Sequence, residues 1–261
     1  MLPTPKVIKL TAQENLKNNW AQAISVALIL FTSLFLSVIL IELCGTILNI
    51  SSSFSPIKAG IISVPTLIMF VFNLPLLQGV IRFFWYMPQQ TKLPISEVFY
   101  YYSSIKLAIK TVFLHMYLVV KTICLSIVFY IPAFVVFSLS EIEILNSLKM
   151  LSIVPSLLVK TFGWGLVLVA TFLSIKNALN YILAPVIFIS NEGKDYEFTL
   201  NISKNIARKN KTAFSTTFYS FLGLIILSLL GIPAVFTLPF LLMSYVVFSR
   251  FALVNYGITL N

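Results

Sequence analysis

Charge is scarce in this chain. Only 10% of its 261 residues are Asp, Glu, Lys or Arg, against about 25% in an ordinary soluble domain. That leaves too little polar surface for a water-soluble fold, and no stretch free to form a separate soluble catalytic domain. Histidine is scarcer still, since His115 stands alone. No HExxH helix and no Cys/His cluster at ligand spacing can be assembled, so a zinc centre is excluded on donor count. His115 reads as a boundary residue near the start of an apolar run. Cys44 and Cys124 are the only cysteines. Both fall inside apolar runs, which gives no disulfide framework and reads as two small buried hydrophobes. The nine glycines form no Gly-rich phosphate loop, so ATP hydrolysis within this chain is excluded. There is no GxSxG either. Glu141 and Glu143 look like paired carboxylates but lie in the short stretch SEIEILNSLK, where solvated loop charge is the simpler reading. No enzymatic activity and no cofactor are expected.

What the chain has in abundance is apolar length. Hydrophobic residues make up 59%, and the mean hydropathy is +0.97. Six runs stand out, at about 21–48, 57–81, 109–138, 152–189, 213–233 and 238–256. A helix needs about 20 apolar residues to cross roughly 30 Å of hydrocarbon. The expectation is an all-α, polytopic transmembrane helical bundle of six spans, one membrane domain over residues 1–261. The first run exceeds the apolar core of a cleavable signal and reads as a span. The fourth is too long for one straight crossing. Lys160 and Lys176 bracket a stretch that spans if both snorkel. The remainder is expected to continue as helix along the interface until Pro185 breaks it. Pro233 and Pro239 are expected to flank a tight turn between the last two spans. Ser220, Gly223 and Gly231 share one helical face, which predicts close helix packing there.

Basic residues alternate from side to side of these runs. Lys6, Lys9, Lys17, Arg82, Lys92, Lys106, Lys110, Lys194, Lys204, Arg208, Lys209, Lys211 and Arg250 fall on one side, and only Lys58 and Lys149 on the other. The positive-inside rule places the richer side, with both termini, in the cytoplasm of a cell whose plasma membrane the chain crosses repeatedly. Trp20, Trp85, Tyr86, Tyr100, Tyr101, Tyr102 and Tyr256 fall near that boundary, as an aromatic belt would. The net charge of +10 is accordingly read as affinity for anionic lipid headgroups, not for nucleic acid. Each basic segment leading into a hairpin has the period of an amphipathic interfacial helix. The apolar stripes are Ile8, Ala12, Leu16 and Trp20; then Val98, Tyr102, Ile105 and Ile109; then Phe198, Ile202 and Ile206. Two readings fit: three repeated units, 1–94, 95–190 and 191–261, each an interfacial helix plus a transmembrane hairpin, or the common start of every positive-inside hairpin without internal repetition.

Two sets of residues are candidates for function. Lys204, Arg208, Lys209 and Lys211 form a basic face that suits contact with anionic lipid or a protein partner. Lys121, Asn73, Lys176 and Asn177 are polar groups inside apolar runs, where a charge costs about 2.5–3.5 kcal/mol at the bilayer centre and asks for a reason. Gln78 and Asn180 are further amides that could face the bundle interior.

The segment IKLTAQENLKNNWAQAI resembles the opening of a family of bacterial six-span membrane proteins of unknown function (domain of unknown function 975). Leu16, Lys17, Asn19 and Trp20 match its pattern. The stretch NISKNIARKNKTAFSTTFYSFLGLIILSLLGIPAVFTLPF is similar near the other end, through Ser203, Asn210, Lys211, Ser220, Phe221, Pro239 and Phe240. Asn210 departs from the family's usual Gly, and Phe240 from its common Tyr. A more distant similarity is to the membrane part of bacterial glycerophosphodiester phosphodiesterases, whose catalytic domain has no counterpart here. The resemblance implies fold and location but no activity. Three functions are compatible with these residues: a non-enzymatic protein binding lipid or a membrane partner, a permease-like subunit served by a separate ATPase, and protection against a membrane-active peptide or toxin.

Overall fold

The computed structural model describes residues 2–47, 56–90, 93–141, 154–190, 195–229, 231 and 233–258. Lys92, Glu143, Lys149 and Lys194, and the side chains of Lys58 and Glu141, lie outside the described residues. Every long element is an α-helix: α1 (Pro5–Leu16), α2 (Trp20–Ile47), α3 (Pro56–Tyr86), α4 (Ile105–Glu141), α5 (Val154–Leu179), α6 (Ala184–Ser190), α7 (Tyr196–Lys209), α8 (Lys211–Ser228) and α9 (Ala234–Asn255). Two 3-10 segments, Met87–Gln89 and Ile95–Tyr102, bridge α3 to α4.

Among the described residues, five helical stretches are long and apolar enough to cross a membrane: Trp20–Thr46, Ser63–Gln89, Ile105–Ser138, Leu158–Ser190 and Ala234–Asn255. The fifth expected run forms α8, which spans 18 residues and ends at Ser228. Its first half, KTAFSTTFYS, is rich in hydroxyls, which lowers its mean hydropathy below that of the other five.

The packed core sits at one end of the bundle, the end where most basic residues collect. Ile8, Ala12 and Leu16 of α1, Ala23 and Val26 of α2, Phe83, Phe84 and Trp85 of α3, Val186 and Ile187 of α6, and Val246 and Leu253 of α9 converge there. A second cluster joins Tyr101, Leu114, Tyr181, Phe188 and Leu200. Away from this end the helices turn apolar side chains outward. Phe35 is 67% exposed, Phe134 71% and Leu168 72%. Water does not tolerate so continuous an apolar surface, whereas lipid does.

Several expectations change at this level. The stripe Ile8, Ala12 and Leu16 is fully buried against the bundle, so α1 is a packed element. Lys9 follows it inward: its Nζ donates to the Ser220 carbonyl at 2.8 Å and lies 4.8 Å from the Phe221 ring. In the second segment a 3-10 helix replaces the expected α-turns. Its period of three buries Val98 and Tyr101, while Ile105 and Ile109 face outward. On α7 the buried face is Thr199, Leu200, Ser203, Ile206 and Ala207, with Phe198 exposed. Trp85 and Tyr101 are fully buried, so they belong to the core and not to a belt. Arg250 places its guanidinium 4.7 Å from the Trp85 ring and donates to the Trp85 carbonyl.

The helix expected to run on to Pro185 ends earlier, at Leu179. The turn through Asn180 and Tyr181 starts a separate α6, in which Pro185 occupies the first turn, where its missing N–H costs nothing. Gln78 Nε2 holds α6 in place by donating to the Pro185 carbonyl at 2.8 Å. The turn before α9 is made by Gly231 at φ +78° with Pro233 as the cap, and Pro239 lies inside α9. Gly223 has open space around it. Close approaches are at Gly79 instead, where an added Cβ would lie 1.8 Å from the Val98 carbonyl oxygen, and at Gly163, where it would lie 2.8 Å from the Phe137 ring. Cys44 is half-buried and Cys124 exposed, not buried as expected. His115 is buried, with Nδ1 3.0 Å from the Thr111 carbonyl and Nε2 without a partner, so it is packed into the bundle.

Candidate functional site

Three helix ends meet beside the core. Helix α5 closes with Lys176 in its last turn, and α7 closes with Arg208 and Lys209. Cations there offset the unpaired carbonyls of a helix C-terminus. Helix α8 opens at Lys211, one residue after the corner at Asn210. That corner has φ −124°, a conformation any residue adopts, so it does not require the Gly usual in the resembling family. Asn210 Nδ2 secures it by donating to the Ile206 carbonyl at 3.0 Å. Ser203, fully buried, donates to the Asn180 carbonyl at 2.9 Å and ties α7 to the turn after α5.

Between these ends lies a cleft of about 320 Å³, lined by Phe129, Leu173, Lys176, Asn177, Leu179, Asn180, Ala207, Arg208, Lys211, Phe214 and Ser215. Among the described residues, three cations line it and no carboxylate does. All three are exposed, so they are solvated or headgroup-facing and need no internal counter-charge. Asn177 Nδ2 is buried without a hydrogen-bond partner. An amide donor in that position is left unsatisfied by the protein. Phe129, Leu173, Leu179 and Phe214 make the remaining wall apolar. The chemistry on offer is binding of an anion that carries apolar substance with it. Among the described residues no group of His, Cys, Asp and Glu could hold a metal ion.

Four of the eight expected site residues are gathered here: Lys176, Asn177, Arg208 and Lys211. The other four are not in the cleft. Asn73 joins α3 to α2, accepting from Ser33 Oγ at 2.6 Å and donating to Ser37 Oγ at 2.9 Å and to the Met69 carbonyl at 2.7 Å. Its hydrogen-bonding capacity is thus used within the helix pair. Lys121 folds back one turn toward the basic end, with Nζ 3.3 Å from the Tyr117 hydroxyl and 5.1 Å from its ring centroid. That is the geometry of a snorkelling lysine. Lys209 lies over Tyr256 at 5.1 Å, and Lys204 is half-buried on α7.

A second feature went unread in the sequence. An apolar groove of about 260 Å³ adjoins the cleft, with Leu179 and Phe214 lining both. It runs between α8 and α9 and is walled mainly by Ile182, Phe218, Phe221, Ile225, Leu241, Tyr245 and Phe248. The signal for it was present, since Phe214, Phe218, Phe221 and Ile225 follow helical spacing along α8.

No protein-family model, no curated protein and no solved structure matches this chain.

Proposed function

We propose that this chain is a non-enzymatic, multi-pass protein of the plasma membrane that binds anionic lipid at the cleft between α5, α7 and α8. The observation that carries the reading is the convergence of Lys176, Arg208 and Lys211, with no acidic residue among the described lining side chains. Phosphate headgroups supply the complementary charge at the level where apolar helices give way to basic ends. In this reading the basic end and both termini are cytoplasmic, by the excess of Lys and Arg there. Helix α8 makes the sixth crossing, its 18 residues extending about 27 Å at about 1.5 Å per residue. Membership of the six-span bacterial family is part of the same proposal, supported by Leu16, Lys17, Asn19, Trp20 and the 201–240 stretch.

The test is lipid retention after extraction of the whole chain in mild detergent, read by mass spectrometry. The variant K176Q/R208Q/K211Q is compared with K6Q/K17Q/K106Q, which removes equal charge from exposed positions outside the cleft. A Lys or Arg close to an anionic surface is worth about 1 kcal/mol, so the cleft variant loses about tenfold in retained anionic lipid even after salt screening. Equal retention by the two variants would sink the reading.

A further inference from the structure

The basic cleft and the apolar groove share Leu179 and Phe214. One ligand that fills both must have an anionic head joined directly to a hydrocarbon tail. Along α8 the groove runs from Phe214 to Ile225, a rise of about 16 Å at about 1.5 Å per residue. That is roughly half of a 30 Å hydrocarbon core, or the depth of one leaflet. The groove thus starts at the level of the three cations and ends near the bilayer middle. An acyl chain of a lipid in the basic-side leaflet covers that distance and direction. Polar groups break the apolar lining near the top, Thr217 on α8 and Ser244 on α9 among them; Ser244, one turn before Phe248, is 2% exposed and its Oγ has no hydrogen-bond partner. A hydroxyl one turn below the headgroup is at the depth of a glycerol ester, whose carbonyl would accept its hydrogen bond.

We infer that the ligand is a long-chain anionic glycerophospholipid, with its phosphate at Lys176, Arg208 and Lys211 and one acyl chain in the groove between α8 and α9. The inference rests on the lipid-binding reading and adds the chain. A tail that leaves the groove stays in hydrocarbon, so the groove acts by van der Waals packing and not by exclusion of water. Its effect is selectivity for tail length and shape.

The experiment uses the whole chain in mild detergent and native mass spectrometry with three probes: dioleoyl phosphatidylglycerol, dihexanoyl phosphatidylglycerol and inorganic phosphate. Leu241→Trp and Ile225→Trp each add bulk to a half-exposed groove wall, and Leu227→Trp places the same bulk on the exposed side of α8. Only the dioleoyl lipid is expected to stay bound. Either groove variant should lower its retention by about fivefold, in keeping with lost tail packing, while Leu227→Trp leaves it unchanged. A thermal midpoint equal to that of the parent shows that a variant is folded, and Ile225→Trp alone suffices if Leu241→Trp is not. Full retention in a folded groove variant, together with loss in K176Q/R208Q/K211Q, overturns the chain assignment and leaves the headgroup site standing. Full retention in K176Q/R208Q/K211Q overturns both. Displacement of the dioleoyl lipid by phosphate makes the ligand a free anion and overturns the inference.

Discussion

Gly79→Ala adds one methyl group at the most crowded of the described glycines. The new Cβ would stand 1.8 Å from the Val98 carbonyl oxygen and 2.7 Å from its carbon, where ordinary contact begins near 3.4 Å. The 3-10 segment must therefore retreat from α3 by about 1.6 Å, because the obstacle is backbone and cannot rotate away. Such a shift pulls on everything that clamps this segment: the Arg82–Glu97 pair at 3.2 Å, the Arg82 guanidinium 3.6 Å from the Tyr100 ring, and the Tyr102 hydroxyl on the Phe72 carbonyl. Overpacking costs typically 1–3 kcal/mol, and a backbone obstacle puts this case at about 3 kcal/mol. The thermal midpoint in detergent should fall by roughly 6–12 °C at about 2–4 °C per kcal/mol. Gly223→Ala is the internal control, since nothing lies within 4 Å of its added Cβ. There the change only removes the entropic cost of a helical glycine, about 1 kcal/mol in favour of the variant. Lipid retention should be unchanged in both, because neither glycine lines the cleft or the groove. Equal midpoints for the two variants would refute the close approach of the 3-10 segment to α3.

Asn73→Ala removes the centre of the Ser33–Asn73–Ser37 link. It should cost about 1 kcal/mol, in line with hydrogen bonds between membrane helices, with the loss seen as a lower thermal midpoint and unaltered lipid retention. Lys9→Gln gives up the bond to the Ser220 carbonyl and the contact with the Phe221 ring. Limited proteolysis should then cut within α1 several times faster, whereas Lys6→Gln, at an exposed position, should cut at the parental rate.

The sequence by itself determined that the chain is helical, apolar and membrane-compatible, and where most of its long helices lie. Length and hydropathy decide those properties locally. It also marked Lys176 and Asn177 as polar groups inside an apolar run, and Arg208 and Lys211 as part of a basic interfacial face. It could not say that they meet. Lys176 and Arg208 are brought together by the turn after Leu179, the buried Ser203 bond to Asn180 and the corner at Asn210, all of which depend on packing at long range. Burial was the least legible property. In water a hydrophobic stripe marks the inside, but in a membrane both the core face and the lipid face are apolar, so periodicity does not separate them. That is why Trp85 and Tyr101 read as a boundary belt and are core, why Cys124 read as buried and faces outward, and why Gly223 read as a contact that Gly79 makes instead. The groove beside the cleft belongs to the same class: α8 wrote its stripe of Phe214, Phe218, Phe221 and Ile225, but only the placement of α9 against it turned that stripe into a wall.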